Sequence, residues 1–451
     1  MLSIIIILGT AIVLCAIFIN PKLGTYIIWP ILFMYPHRWF FEHQFLPLNI
    51  GVDDLFCITL FLVVLLRRNL LGGVPIRFGY AFGVISSFVI IVIIANIASY
   101  GEIKSALVRT DCIKDILKLG VYWGLFYAIL HCIDNIHDLR IQFSMFSMAI
   151  VGGAAIVILQ YFFPYKMEIF ISPKFQSGIS DELTRTSGAF LNANSAACML
   201  GCSLMLVIAA VRLQKNILYK VFIYSFIFIL LMGILLTKSR SGLFSIGVTT
   251  LLMGILGRNK KITWFIIIAA LVVSIGFAGF REAFTRRIQR TSDIRQDSSV
   301  VGRIQTWKDY FNSATAKTYM FGQGVNRARE IHGKGESHSS YVSLIVLYGI
   351  GGVIWALISL IIFFKKGLSL RESPEPLVPI ISTGCIWALV NWGFYSIMAD
   401  ALNAPHPRFL LFYLVVLMDR TSAITKQELA LLPYEEQIDS LQMQYAGEEI
   451  Y

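Results

Sequence analysis

Three short polar segments interrupt an otherwise apolar chain, and each carries residue types suited to an anionic or sugar-bearing substrate. The first, Lys238-Ser239-Arg240-Ser241-Gly242, lies between two apolar runs. Its two cations either snorkel to lipid phosphates or grip the phosphate oxygens of a substrate. The second is Val301-Gly302-Arg303-Ile304-Gln305-Thr306-Trp307, continuing to Lys308 and Tyr310. It has the pattern of a short amphipathic helix on which Arg303 and Trp307, four residues apart, share a face. A guanidinium there can fork onto phosphate, and an indole suits a sugar face or the membrane interface. An interfacial helix with nothing bound has the same pattern. The third, Gly335-Glu336-Ser337-His338-Ser339-Ser340-Tyr341, sets His338 at the mouth of an apolar run. A helix N-terminus keeps an imidazole neutral and able to take a proton from a sugar hydroxyl. A structural capping role is the alternative. His332 is a second candidate on the same loop; His37, His43, His131, His137 and His406 are weaker ones.

No metal or cofactor is expected. The loops carry no H-E-x-x-H, D-x-D or carboxylate pair at ligand spacing, and no P-loop or dinucleotide fingerprint occurs. The cysteines (Cys15, Cys57, Cys112, Cys132, Cys198, Cys202 and Cys385) form no C-x-x-C, and nearly all lie in or beside apolar runs. Cys198 and Cys202 share a helix face with no His or acid nearby, so helix packing is the reading rather than a metal pair or a disulfide.

The elements that must position these segments are membrane spans. The 451 residues are 57% hydrophobic and only 14% charged, with mean hydropathy +0.71 and net charge +11. Too little polar surface remains for a soluble enzyme, a disordered chain or a nucleic-acid binder of this length. A span needs roughly 20 apolar residues. Runs near 2–19, 23–36, 52–66, 77–98, 115–133, 140–163, 192–211, 219–237, 242–257, 262–280, 340–364, 377–397 and 407–419 qualify, with 23–36, 52–66 and 407–419 short. The fold class expected is an all-α polytopic membrane bundle of about 12 or 13 helices. Without barrel alternation, only helices satisfy their own backbone in lipid. The stretch Leu2–Ile19 lacks a basic flank and a cleavage site, and reads as a retained span.

Lys and Arg set the orientation. Arg67, Arg68, Arg212, Lys215, Lys220, Arg258, Lys260, Lys261, Lys365, Lys366 and Arg371 mark one face as cytoplasmic. The opposite face takes 99–114, 161–191, 238–241, 281–339 and 399–407. The organisation expected is N-terminal helices (1–163), central helices (164–280), a large extracytoplasmic loop (281–339), C-terminal helices (340–419) and a cytoplasmic tail (420–451). The large loop breaks the charge rule. Between Arg281 and Ser337 it carries eleven cations against six acids. Long loops are exempt from the rule, but the excess suits an anion site at the membrane surface, or else a solvated cap.

Four stretches together resemble the O-antigen ligase and O-antigen polymerase superfamily of bacterial membrane glycosyltransferases. Arg185-Thr186-Ser187-Gly188-Ala189-Phe190-Leu191-Asn192-Ala193-Asn194 resembles its R-x-x-G-x-F-x-N-x-N segment, and Thr237-Lys238-Ser239-Arg240-Ser241 its T-x-S-R turn. Arg303 to Trp307 with Gly322-Gln323-Gly324 is similar to R-x-x-x-W … G-x-G. His338-Ser339-Ser340-Tyr341 … Gly349 is similar to H-N-x-[YF]-L … G-x-x-G, with Ser339 replacing the commoner Asn.

The resemblance implies a GT-C-like fold and a donor glycan on undecaprenyl pyrophosphate, transferred without metal and with inversion at the extracytoplasmic face of the bacterial inner membrane. It makes Arg240, Arg303 and His338 catalytic. The two arginines stabilise the leaving diphosphate and His338 takes the acceptor proton. Arg185, Asn194, Trp307 and Lys238 bind substrate. The acceptor is a growing glycan for a polymerase, lipid A core for a ligase, or a protein hydroxyl. Partners are these lipid-linked and acceptor molecules and membrane lipid, with no nucleic acid. A flippase for the same lipid-linked sugar is the alternative from another class. It expects internal repeats, which the chain does not display.

Overall fold

A computed structural model of the chain describes residues 13–34, 52–163, 186–190, 192–211, 216–256, 298–333 and 337–431. Every regular element among them is helical. In chain order these are α1 (Pro21–Met34), α2 (Val52–Val63, continued by a π-helical stretch, Val64–Leu70), α3 (Tyr80–Tyr100), α4 (Ala106–Cys132) and α5 (Ile136–Phe162). After these come α6 (Ala193–Val211), α7 (Ile217–Thr237), α8 (Arg240–Leu256), α9 (Ser298–Asn312) and α10 (Ala316–Phe321). The C-terminal part has α11 (Val325–His332), α12 (Ser340–Val346), α13 (Gly349–Ser369), α14 (Leu377–Met398) and α15 (Pro405–Leu431). Six of them, α3, α5, α6, α7, α13 and α14, are long and apolar enough to cross a membrane. The protein is a polytopic membrane bundle. Arg185, the run 262–280 and the tail beyond Leu431 lie outside the described residues.

Short polar residues start the helices where the chain leaves the apolar runs. Ser105 Oγ accepts from Val108 N, Asn135 Oδ1 from Asp138 N, Asn192 Oδ1 from Ser195 N and Asn216 Oδ1 from Leu218 N. Each satisfies a backbone donor that a helix start leaves unpaired. Helix α6 forms the centre of the bundle, almost wholly buried among α7, α8 and α14.

The register of those neighbours sets the geometry of the site. Asn391 Nδ2 donates to Cys202 Sγ at 3.3 Å, and Gly384 faces Leu206 and Ala209, so α14 runs antiparallel to α6. Gly242 lies against Ala197 and Ile246 against Gly201, so α8 runs parallel to α6. A Cβ on Gly242 would stand 2.4 Å from that of Ala197, and only glycine allows this approach. The starts of α6 and α8 therefore share one end of the bundle with the finish of α14. At the opposite end, Arg77 and Arg420 both donate to the Ile133 carbonyl, and Lys366 pairs with Asp419 at 3.1 Å.

Several boundaries differ from the sequence expectation, among them the end of α15, which runs to Leu431 where the expected span ends at 419. The run 340–364 divides into α12 and α13. The break comes where Gln323 N and Gly324 N donate to the carbonyls of Val346 and Leu347. Helix α4 begins nine residues before the apolar run at 115. Its first turns are polar, and Asn326 and Arg329 of α11 hold them through Asp115 and Asp111.

Candidate active site

The turn between α7 and α8 sits in a buried polar seam. Lys238 ends α7 in the left-handed conformation, φ 52°, with its N–H on the Leu235 carbonyl at 3.1 Å. Ser239 is buried, and its hydroxyl donates to Asn194 Oδ1 at 2.9 Å and lies 3.2 Å from the Ser241 hydroxyl. This ties the turn to the start of α6. Arg240 then opens α8 with its side chain exposed at that end. The segment after Arg185 docks on the same turn, for Thr186 Oγ1 donates to the Leu236 carbonyl at 2.9 Å. Gln160 Oε1 accepts from both Ser187 N and Gly188 N, at 2.9 and 2.7 Å. The Lys238 ammonium stands 5.7 Å above the Tyr161 ring, a cation–π contact at the mouth of this seam.

Arg303 and Trp307 use the face of α9 that their spacing gives them. Arg303 Nη1 donates to the Met398 carbonyl, the last residue of α14, at 2.7 Å. Trp307 Nε1 donates to the Ser337 carbonyl at 2.8 Å, one residue before His338. Because α14 ends beside the starts of α6 and α8, these bonds carry Arg303, Trp307 and the His338 loop to the end that holds Lys238, Arg240 and Asn194. The structure thus brings Lys238, Arg240, Asn194, Arg303, Trp307 and His338 to one end of the bundle, whereas the weaker candidates His131 and His137 lie at the opposite end.

His338 is half-buried and also left-handed, φ 58°. Ser337 closes a small ring around it, accepting from Ser339 N at 3.1 Å and standing 2.6 Å from the Ser339 carbonyl, to which it donates. Behind the ring is a buried carboxylate that sequence reasoning missed. Asp400 Oδ2 accepts from Ser343 Oγ at 2.5 Å and Asn403 Nδ2 at 2.6 Å, with Ser337 Oγ at 3.4 Å. Burial pushes the Asp400 carboxyl above the ordinary range, against the opposing hydrogen bonds of Ser343 and Asn403. The signal in sequence was only an acid in a short loop after an apolar run. Its partners come from two other segments.

The remaining loop features are structural. Gly322 and Gly349, at φ 83° and 63°, pack backbone to backbone, and a Cβ on Gly322 would stand 2.2 Å from the Leu347 carbonyl oxygen. This is why the G-x-G segment needs glycine. Lys317 and Arg327 pair with Glu102, and Glu330 accepts from Lys104 N and Ser105 N at 2.9 and 2.7 Å. Those cations clamp α10 and α11 onto the α3–α4 connection. His332 stacks on Tyr310 at 4.5 Å between centroids and meets the Ser313 hydroxyl at 3.1 Å. The groups at this end suited to chemistry include the His338 imidazole and the cations Lys238, Arg240 and Arg303. Cations held in a poorly hydrated site stabilise a developing anion, and the imidazole can accept a hydroxyl proton.

No curated protein and no solved structure matches the chain. A family model does, and its range takes in the Lys238–Gly242 turn, α9, the G-x-G segment and the His338 loop. Residues 224–357 match the family model described as O-antigen ligase (Wzy_C), so this part of the chain is similar to that family.

Proposed function

We propose that the protein transfers a glycan from undecaprenyl pyrophosphate to an acceptor hydroxyl at the outer face of the bacterial cytoplasmic membrane, as a ligase or polymerase of surface polysaccharide. The acceptor oxygen attacks the anomeric carbon from the side opposite the diphosphate, and its proton passes to His338. The bond from the anomeric carbon to the diphosphate oxygen breaks, and undecaprenyl diphosphate leaves with the electron pair. Arg240 and Arg303 neutralise that charge, with Lys238 and Arg185 assisting. Trp307 offers an apolar face to the sugar, and Asn194 braces the turn through Ser239. No divalent cation is needed when cations are already in place.

The observation that carries this reading is the convergence of Arg240, Arg303 and the His338 loop at one end of the bundle through the Ser239–Asn194, Arg303–Met398 and Trp307–Ser337 bonds. The far end gathers Arg68, Arg77 and Lys366, and by the positive-inside rule it is the cytoplasmic one. The test is the purified protein in liposomes with one lipid-linked oligosaccharide and a chelator. A ladder of lengths identifies a polymerase. Transfer only after lipid A core is added identifies a ligase. Movement of the lipid across the bilayer with no new glycosidic bond would overturn the proposal in favour of a transporter. Arg240→Ala, Arg303→Ala and His338→Ala should each abolish product at normal protein level.

A further inference from the structure

The end of the bundle opposite the candidate active site holds a cluster of charge that glycan transfer does not use. Asp134, between α4 and α5, binds Arg68, Arg77 Nη2 at 2.5 Å and Lys22 Nζ at 2.8 Å, while Lys22 also reaches Asp138 at 2.6 Å. Burial alone would raise the Asp134 pKa, but hydrogen bonds from Arg68, Lys22 and Arg77 hold it far below the carboxylate range. Arg420, from α15, enters the same cluster and donates its Nε to the Ile133 carbonyl at 2.9 Å, beside Arg77 Nη1 at 2.8 Å. His131 adds no charge to it. Its Nε2 accepts from Arg77 N at 2.8 Å, so the ring is the neutral tautomer with its proton on Nδ1 toward the Tyr127 carbonyl.

Lys22, Arg68, Arg77 and Arg420 thus face Asp134 and Asp138, with the neighbouring Asp419 already paired with Lys366, and two guanidinium donors have no partner among the described residues. Arg420 is only 5% exposed, yet its Nη2 has no partner among the described residues, and neither has the buried Nε of Arg68. A buried guanidinium donor left unpaired is costly. A tetrahedral anion bridging such donors removes the cost and the charge excess together. The rim says where the anion comes from. Leu71 and Phe78, either side of the Arg77 loop, are 82% and 77% exposed. Bare apolar side chains next to partly buried cations match an acyl chain below a phosphate headgroup.

We propose that Arg68, Arg77, Arg420 and Lys22 form a binding site for the phosphate of an anionic phospholipid at this end of the bundle. The site orders α15 against the α4–α5 connection, since Arg420 joins the first to the second.

The test uses the full-length protein in detergent, read by native mass spectrometry and thermal unfolding. Phosphatidylglycerol should be retained and raise Tm, whereas phosphatidylcholine should not. Arg420→Gln should weaken phosphatidylglycerol binding roughly fivefold or more, the worth of one basic contact to an anionic headgroup. Should that variant fail to fold, Arg68→Gln provides the same comparison, and the wild-type lipid selectivity stands as a test by itself. Equal stabilisation by phosphatidylcholine, or unchanged retention in the variants, would overturn the site. Stabilisation by inorganic phosphate as large as by the lipid would overturn the lipid assignment.

Discussion

Lys238 and His338 share a backbone state that no other non-glycine residue among those described adopts, with φ at 52° and 58°. They lie a hundred positions apart in sequence and arrive at the same end of the bundle. The left-handed region costs a residue with a Cβ about 1–2 kcal/mol. A helix C-terminus such as that of α7 ordinarily spends glycine there. Both exceptions fall where the proposed mechanism needs a side chain, a cation in one case and a base in the other.

Lys238→Gly separates the two effects. Glycine relieves the backbone, so the variant should unfold at higher temperature, with about 1 kcal/mol gained. The ammonium over Tyr161 is lost, so KM for the lipid-linked donor should rise several-fold. Thermal unfolding and initial rates on one preparation decide it. A variant with raised Tm and unchanged KM would leave the Lys238 side chain without a role in donor binding.

In the proposed mechanism Arg303 serves two purposes through one side chain. Nη1 is committed to the Met398 carbonyl at 2.7 Å, and the rest of the planar fork is what the proposed mechanism aims at the diphosphate. Lysine keeps the charge but has no rigid fork with which to serve both. Arg303→Lys should therefore lower kcat roughly a hundredfold, the usual loss for one transition-state donor, with little change in Tm. A loss seen only in KM would mean that Arg303 binds ground state and transition state alike.

Hydropathy made the spans legible, and the residues of the cation and His338 motifs meet at one end of the molecule. What stayed hidden was set by contacts distant in sequence. The run 340–364 is continuously apolar, and its division at Leu347–Tyr348 appears only once Gly322 and Gly324 dock there. The start of α4 reads as a loop because Arg109, Asp111 and Lys114 are polar, but α11 supplies partners that make the helix worth forming. Cations of the large loop all look alike in sequence. In the structure Lys317 and Arg327 are engaged with Glu102, whereas Arg303 reaches the end of α14.

Two glycines from the same family-like stretch should behave oppositely. Gly322→Ala puts a Cβ within 2.2 Å of a backbone carbonyl at φ 83°, where neither side can yield. It should cost about 3 kcal/mol or more and sharply lower the amount of folded protein. Gly302, mid-helix in α9, has open space around its missing Cβ, so Gly302→Ala should fold at least as well as the wild type. Expression level and Tm for the pair provide the check. Normal folding of Gly322→Ala would show that the G-x-G segment does not lock against Gly349.

Asp400 supplies a pH signature for the His338 loop. Its folded-state pKa is raised by burial above the value it has in the unfolded chain. The folded protein therefore binds the proton more readily. The penalty for burying the charge is present at neutral pH and disappears as pH falls through the raised value toward the ordinary carboxylate value. Asp400→Asn removes this titration while keeping the volume. It also places an amide donor against the Asn403 amide, so it should be less stable at every pH. The difference in Tm between wild type and Asp400→Asn should widen on acidification from pH 7, because only the wild type gains. Transfer activity should fall with the variant even where it is folded, since Ser337 and Ser343 lose the carboxylate that sets the ring around His338. A Tm difference that is flat with pH would mean that Asp400 does not titrate in the folded protein, and full activity would free the His338 loop from it.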